Sequence, residues 1–262
     1  MRRLNTLLLT LAMATAALAQ QPATRYTVGI RSKVDPAKRA EYVEFVKNTS
    51  AKVMKEWLNT NPKFIGWSVL EVSYGGSPLA DYNFTSGMTW EGPPPEDAIA
   101  TFQAAVKKAG MSPDDYQAKL RSLRTVVGQH LRRSVASVQG PNGDYTVASY
   151  FKAAPGRLEE CRESLRTVSQ PVYASMVKDG AITGWGAGEV VFPRGQSQPF
   201  DFFAATSYKT LAEAVERANP YAPHFAKVHP GKSYIGYIDF YRASRTLVRT
   251  DLLHTIARVS RQ

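Results

Sequence analysis

Arg25-Tyr26-Thr27-Val28-Gly29-Ile30-Arg31-Ser32-Lys33-Val34-Asp35-Pro36 is the stretch that decides the fold, because the chain returns to it. Tyr26-Thr27-Val28 recurs as Tyr145-Thr146-Val147, and Pro36 as Pro155, each 119 positions on. Gly66-Trp67 with Glu71 recurs as Gly184-Trp185 with Glu189, 118 positions on. Anchors that hold register over such a span indicate an internal duplication, which sets an architecture before any chemistry is read.

The stretch itself alternates. Tyr26, Val28, Ile30, Ser32 and Val34 share one face, and Thr27, Gly29, Arg31 and Lys33 the other, a period of two that predicts a strand. Asp35-Pro36 then opens a helix, with the aspartate as N-cap and proline in the first turn, where its missing N–H costs nothing. Tyr42, Phe45, Val46, Thr49, Val53 and Trp57 continue at helical spacing until Asn59–Pro62. Strands are predicted over Trp67–Tyr74 and Tyr82–Trp90, joined through Gly75-Gly76-Ser77-Pro78. A helix interrupted at Gly110–Pro113 and a strand over Thr125–Val135 follow. Gly140-Pro141-Asn142-Gly143 marks the boundary between copies.

The second copy is predicted to repeat the order. Tyr145–Lys152 is a strand. A helix from Pro155 carries Leu158, Cys161, Leu165, Val168, Val172 and Met176, with Pro171 expected to kink or split it. Strands over Trp185–Phe192 and Phe202–Tyr208 precede a helix from Leu211, broken at Asn219-Pro220 and before Pro230. A last strand is expected over Tyr234–Tyr241, and the arginine-containing tail is expected to be helical. Each copy is then a βαββαβ ferredoxin-like unit, with both helices on one face of an antiparallel sheet. The other sheet face carries Ala148, Tyr150, Phe203 and Tyr237, which are unsuited to water, so the copies are expected to cover each other, sheet against sheet.

This element order, with Gly-Trp opening the second strand and Asp35-Pro36 or Ala154-Pro155-Gly156 opening the first helix, resembles the dimeric α/β-barrel superfamily over nearly all of residues 25–243. That group includes the antibiotic-biosynthesis-monooxygenase-like and NIPSNAP-like domains and the haem-binding chlorite-dismutase relatives. The resemblance implies an α+β fold of two tandem ferredoxin-like repeats forming a single-chain barrel with antiparallel sheets face to face. The expected division is a leader over 1–19, repeats over 25–138 and 145–243 with a linker at 139–144, and a basic tail over 244–262.

Arg2 and Arg3, the apolar run Leu7–Leu18 and Ala17-Leu18-Ala19 before Gln20 have the form of a cleavable secretory signal, too short to span a bilayer. The expected location is periplasmic or secreted. Losing that segment takes two arginines and no acid, so the net charge falls from +11 to +9. The sign favours an anionic partner. No nucleic-acid motif is present, and none is expected to bind. Cys161, the single cysteine, allows no disulfide within the chain and falls on an apolar helical stripe.

Candidate chemistry rests on polar strand residues. Glu71 and Glu189 occupy equivalent places and share strand faces with Trp67 and Trp185. A carboxyl beside an indole in a dry site would be a general acid or base; at an exposed strand end it would be inert. His130 shares a face with Arg132, and its counterpart in the second copy is read as Phe240. Arg31 lies on a face where burial would require an acid or an anionic ligand. Asn83 and Asp239 are further ligand-binding candidates. Where the resemblance would place a haem-ligating histidine, His224 and His229 lie five apart, which does not put both on one helical face. No cofactor is expected from the residues themselves, and haem is carried only by the resemblance. The expected function is binding of a small aromatic or anionic molecule in a barrel-side cavity, with cofactor-independent oxygenation or isomerisation as the chemistry. A non-catalytic envelope or protein-interaction module working through the basic tail, and a haem protein, are the alternatives. Further self-association is left open.

Overall fold

A computed structural model describes residues 24–75, 82–195, 198–216 and 221–261. The leader, the turn at Gly76–Pro78 and the break at Asn219-Pro220 lie outside those residues. The strands are Arg25–Lys33 (β1), Phe64–Gly75 (β2), Phe84–Glu91 (β3), Thr125–Val138 (β4), Tyr145–Ala153 (β5), Gly184–Phe192 (β6), Phe202–Tyr208 (β7) and Arg245–Ser260 (β8). The helices are Arg39–Phe45 (α1), Ala51–Thr60 (α2), Ala98–Lys108 (α3), Pro113–Leu123 (α4), Leu158–Ser164 (α5), Gln170–Lys178 (α6), Leu211–Glu216 (α7), Tyr221–Val228 (α8) and Tyr234–Ser244 (α9).

The strands close one antiparallel barrel in the order β1-β3-β2-β8-β5-β7-β6-β4. The chain's two halves are therefore not separate stacked sheets. They meet edge to edge, β2 on β8 and β4 on β6, so every strand finds two partners and no edge is left bare. Within the halves the orders β4-β1-β3-β2 and β8-β5-β7-β6 correspond.

Local chemistry sets the helix starts. Asp35 Oδ1 accepts from the Ala37 N–H at 2.8 Å, with Pro36 beginning a short 3₁₀ turn. Ser112 caps α4 through the Asp115 N–H at 3.0 Å, and Gly110 takes φ +91° to end α3. The kink expected at Pro171 is present as a π-helical turn, Leu165–Ser169, just before it. The first half has the same turn at Val46–Ser50, 119 residues earlier and without a proline. The widened turn thus belongs to the packing, and Pro171 sits where its missing N–H does no harm.

Two expectations fail at the C-terminal end. Tyr234–Tyr241 is helical, not a strand. Its aromatic composition suggests a strand, yet Tyr234, Tyr237, Ile238 and Tyr241 follow helical spacing, and the Ser233 Oγ caps Gly236 N at 3.0 Å. Residues 244–262 are not a helical tail, because Arg245–Ser260 is the sixteen-residue strand that joins the halves. It does not behave as a free basic arm. Arg249 pairs with Asp251, Arg258 donates to Asn142 Oδ1 at 2.8 Å, and Arg261 donates to the carbonyls of Leu58 and Asn61.

Burial divides into three cores. One lies between the first half-sheet and its helices, around Val53, Trp57, Phe64, Phe84, Trp90 and Tyr116. The second is its counterpart, around Cys161, Leu165, Val172, Trp185, Phe202 and Phe225. The third fills the barrel lumen with Ala148, Tyr150, Phe200, Leu253 and Phe203. Ala148, Tyr150 and Phe203 face inward as their composition predicts, whereas Tyr237 belongs to α9 and the second core.

Candidate functional site

Each half holds a cavity between sheet and helices. The second-half cavity, about 750 Å³, has Ser149, Trp185 and Thr206 on its sheet side and Tyr173, Tyr237 and Tyr241 on its helical side. Tyr173 stacks on Trp185 with ring centres 4.5 Å apart and planes 11° off parallel. The Tyr237 hydroxyl and Ser169 Oγ lie 2.8 Å apart. Burial raises the phenols of Tyr173, Tyr221 and Tyr241 above their ordinary value, so at neutral pH they are protonated.

Arg245 lines this cavity, 3% exposed, where α9 turns into β8. Its Nη2 donates to Ser164 Oγ at 2.6 Å, and its guanidinium lies 4.2 Å from the Tyr241 ring centre. Nη1 is buried without a hydrogen-bond partner, and among the described residues no carboxylate pairs with the group. A buried cation without a counter-ion is costly. The cavity wall thus sets this cation beside stacked aromatic rings, with the carboxylates of Glu213 and Glu216 also in the lining.

The first-half cavity, about 520 Å³, is more apolar, with Trp57, Trp67, Trp90, Phe102 and Tyr116 in its walls. Arg124 holds the place of Arg245 but donates to Tyr42 Oη at 3.5 Å.

The sequence candidates fall in different places. Trp67 and Trp185 line the two cavities. Glu71 and Glu189 do not. Glu71 receives Arg39 of α1, with Nη2 to Oε2 at 2.6 Å. Glu189 receives Arg162 of α5 at 2.7 and 2.9 Å and also pairs with Arg133. Both carboxylates tie a strand to a helix or a neighbouring strand and are occupied as acceptors. Asn83 clips β1 to the start of β3, accepting from Val34 N at 2.8 Å and donating to Val34 O at 2.7 Å. Asp239 is exposed on α9, not on a strand. The counterpart of His130 is Asp251, since Gly29 faces His130 in the register in which Ala148 faces Asp251; Phe240 lies on α9. His130 and Arg31 point into the lumen, on the opposite side of the sheet from the cavities. Burial, with Arg132 and Arg31 adding repulsion, pushes the His130 imidazole down to about 2.

The residues missed were the tyrosines and Arg245. A signal for the first was present: Tyr173, Tyr208, Tyr221, Tyr234, Tyr237 and Tyr241 all belong to the second copy and all line its cavity. For the second, Arg124-Thr125 recurs as Arg245-Thr246, 121 positions on.

No family model matches the chain, and no curated protein matches it. Solved structures do. A candidate monooxygenase from Lactobacillus acidophilus is 9% identical, covering 91% of this chain and 97% of its own, with a TM-score of 0.54. A candidate monooxygenase from Fusobacterium nucleatum is 11% identical, covering 92% and 96%, with a TM-score of 0.55. The fold is that of the dimeric α/β barrels. A chlorite dismutase from Candidatus Nitrospira defluvii is also similar, at 13% identity over 92% and 94%, TM-score 0.48.

Haem can be tested against the donors present. His224 Nδ1 lies 2.9 Å from Ser175 Oγ, and His229 Nε2 lies 3.1 Å from the Val168 carbonyl oxygen. Neither histidine lines the cavity, so its donor set does not fit a histidine-ligated haem.

Proposed function

We propose that the protein is an exported barrel of two tandem ferredoxin-like halves that binds a small aromatic anion in its second-half cavity. The observation that carries this reading is Arg245, a buried guanidinium with no carboxylate partner among the described residues, lining a cavity with Trp185, Tyr173, Tyr237 and Tyr241. The rings supply flat apolar area, the protonated phenols supply hydrogen bonds, and Arg245 supplies the charge. Export rests on the N-terminal leader, and tandem duplication on the recurring sequence anchors and the matching strand orders.

The chemistry that fits this cavity is monooxygenase-like turnover without a bound cofactor, as the names of two fold neighbours suggest, with dioxygen as oxidant and the substrate giving up two hydrogens, so that one oxygen atom enters the product and the other leaves as water. Glu213 lies at the cavity, but its Oε2 accepts from Lys209 N at 3.0 Å. Glu216 also lines the cavity and is a second carboxylate at its wall, and Arg245 would favour the deprotonated form of an acidic substrate. An envelope-binding role for the tail has no support in the fold, since that segment is a barrel strand.

The test is quenching of tryptophan fluorescence by 1-hydroxy-2-naphthoate and by neutral 1-naphthol. Arg245→Met should weaken the carboxylate by about 10- to 100-fold, as expected for a charged hydrogen bond, and leave 1-naphthol within a few-fold. Equal affinities of wild type and variant for the carboxylate would remove the reading.

A further inference from the structure

The lumen holds a second group of cations that the cavity does not use. Arg31, Arg132 and Arg249 all carry their guanidinium groups among its aromatic side chains. Arg31 lies 4.9 Å from the Tyr82 ring centre and 4.8 Å from that of Phe200, Arg132 lies 4.3 Å from Phe203, and Arg249 lies 4.8 Å from Tyr82. Among the described residues, Asp251 is the one carboxylate paired with any of the three. It takes Arg249 at 2.6 Å, together with the Tyr82 hydroxyl at 2.6 Å. Two positive charges remain uncompensated.

Three nitrogens of the group are buried without a partner: Arg31 Nη2, Arg132 Nε and His130 Nε2. His130, 9% exposed, and Arg132 converge on Gly29. A β-carbon there would stand 2.5 Å from His130 Nε2 and 3.2 Å from Arg132 Nη2. Gly87, paired with Gly29 across β1 and β3, likewise lets Arg132 lie close to the sheet: a β-carbon on it would be 3.2 Å from Thr27 Cγ2 and 3.7 Å from Arg132 Nη2. Arg31 faces Gly128 in the β1–β4 register. Glycines thus occupy the inward positions beside the cations, while Tyr82, Tyr150, Phe200 and Leu253 fill much of the remaining lumen.

The energetics call for a counter-charge. Burying an ion costs several kcal/mol even after relaxation, whereas each ring contact returns about 0.5–2. Burial and the neighbouring Arg31 pull Arg132 down to about 10, which still leaves it charged at neutral pH.

We propose that the lumen binds one small monovalent anion, of halide size, between the guanidinium groups of Arg31 and Arg132, with His130 Nε2 as a further donor. The bulk of the surrounding aromatic rings sets the size limit, and the charge balance sets the sign. The site lies across the sheet from the Arg245 cavity and stands or falls apart from it.

Two measurements test it. Crystals of the full chain grown in sodium bromide should show anomalous scattering in the lumen within hydrogen-bonding distance of Arg31 or Arg132. A lumen holding only ordered water, with bromide confined to the surface, would overturn the proposal. In solution, thermal unfolding is followed as chloride replaces gluconate at fixed ionic strength. The wild-type midpoint should rise and saturate, as linkage to a single site requires. Arg132→Met should lose that response and, in gluconate alone, be at least as stable as wild type. If Arg132→Met does not fold, Arg31→Met serves in its place. The same chloride response in wild type and variant would overturn the site.

Discussion

At the scale of single residues, burial separates groups that look alike in sequence. Glu71 and Glu189 are equivalent by position and both bind an arginine, yet their surroundings differ. Glu71 is 16% exposed and its Arg39 partner 53%, whereas Glu189 is 5% exposed and holds two arginines that are 35% and 18% exposed. Removing one charge from a buried pair strands its partner, while an exposed pair is screened by water. Glu189→Gln should therefore cost about 2–4 kcal/mol in urea unfolding, and Glu71→Gln less than about 1. Similar costs for the two would show that Glu189 is better solvated than its surroundings indicate. His130 gives a pH signature. Its folded-state value, about 2, lies below the ordinary 6.5, so below pH 6.5 the unfolded chain takes up a proton that the folded chain refuses. Stability from this group is whole above pH 6.5 and falls by about 1.4 kcal/mol per pH unit beneath it. With gluconate as the anion, wild type should lose about 2–3 kcal/mol more than His130→Gln between pH 7 and 4.5. Parallel losses would mean that the ring is protonated in the folded protein.

At the scale of elements, β8 is the piece that sequence reading mistook. Its arginines suggested a solvated helix, but Asp251 and Leu253 alternate inward as a strand requires, and Arg245, Arg249 and Arg258 each find partners. It has partners on both sides, β2 and β5. A chain ending at Ser244 should leave both of those edges open and lose cooperative thermal unfolding, with aggregation replacing it. A truncated protein that stays monomeric and melts cooperatively would show that β8 is dispensable. The π turns make a related point. Their recurrence 119 residues apart was written in the register of the repeat, but nothing in residue type at Val46–Ser50 announces a widened turn. It forms where a helix adjusts to the sheet beneath it.

At the scale of the whole molecule, closure couples the halves. Strands β2 and β4 of the first half need β8 and β6 of the second. Residues 24–140 and 143–261 produced as separate chains should associate on mixing, since each alone presents two unpaired edges. Size-exclusion chromatography and light scattering read the outcome, and two halves that remain soluble monomers would contradict edge-to-edge closure. The same closure divides the interior into a lumen and two outer cavities. It sends Arg31 and His130 to one compartment and Trp67 and Trp185 to the others.

The alternation in Arg25–Val34, the cap at Asp35-Pro36 and the recurring anchors determined by themselves the βαββαβ order of the first half and the start of the second, because these signals are local and lie within a few residues of what they specify. Only the tertiary structure decided that 245–260 is a strand, that Glu189 is held by two arginines, and that Arg245 has no carboxylate partner among the described residues. Those facts depend on which side chains meet at sequence separations of 27, 56 or 81, and neighbours in space at such separations leave no periodic trace along the chain.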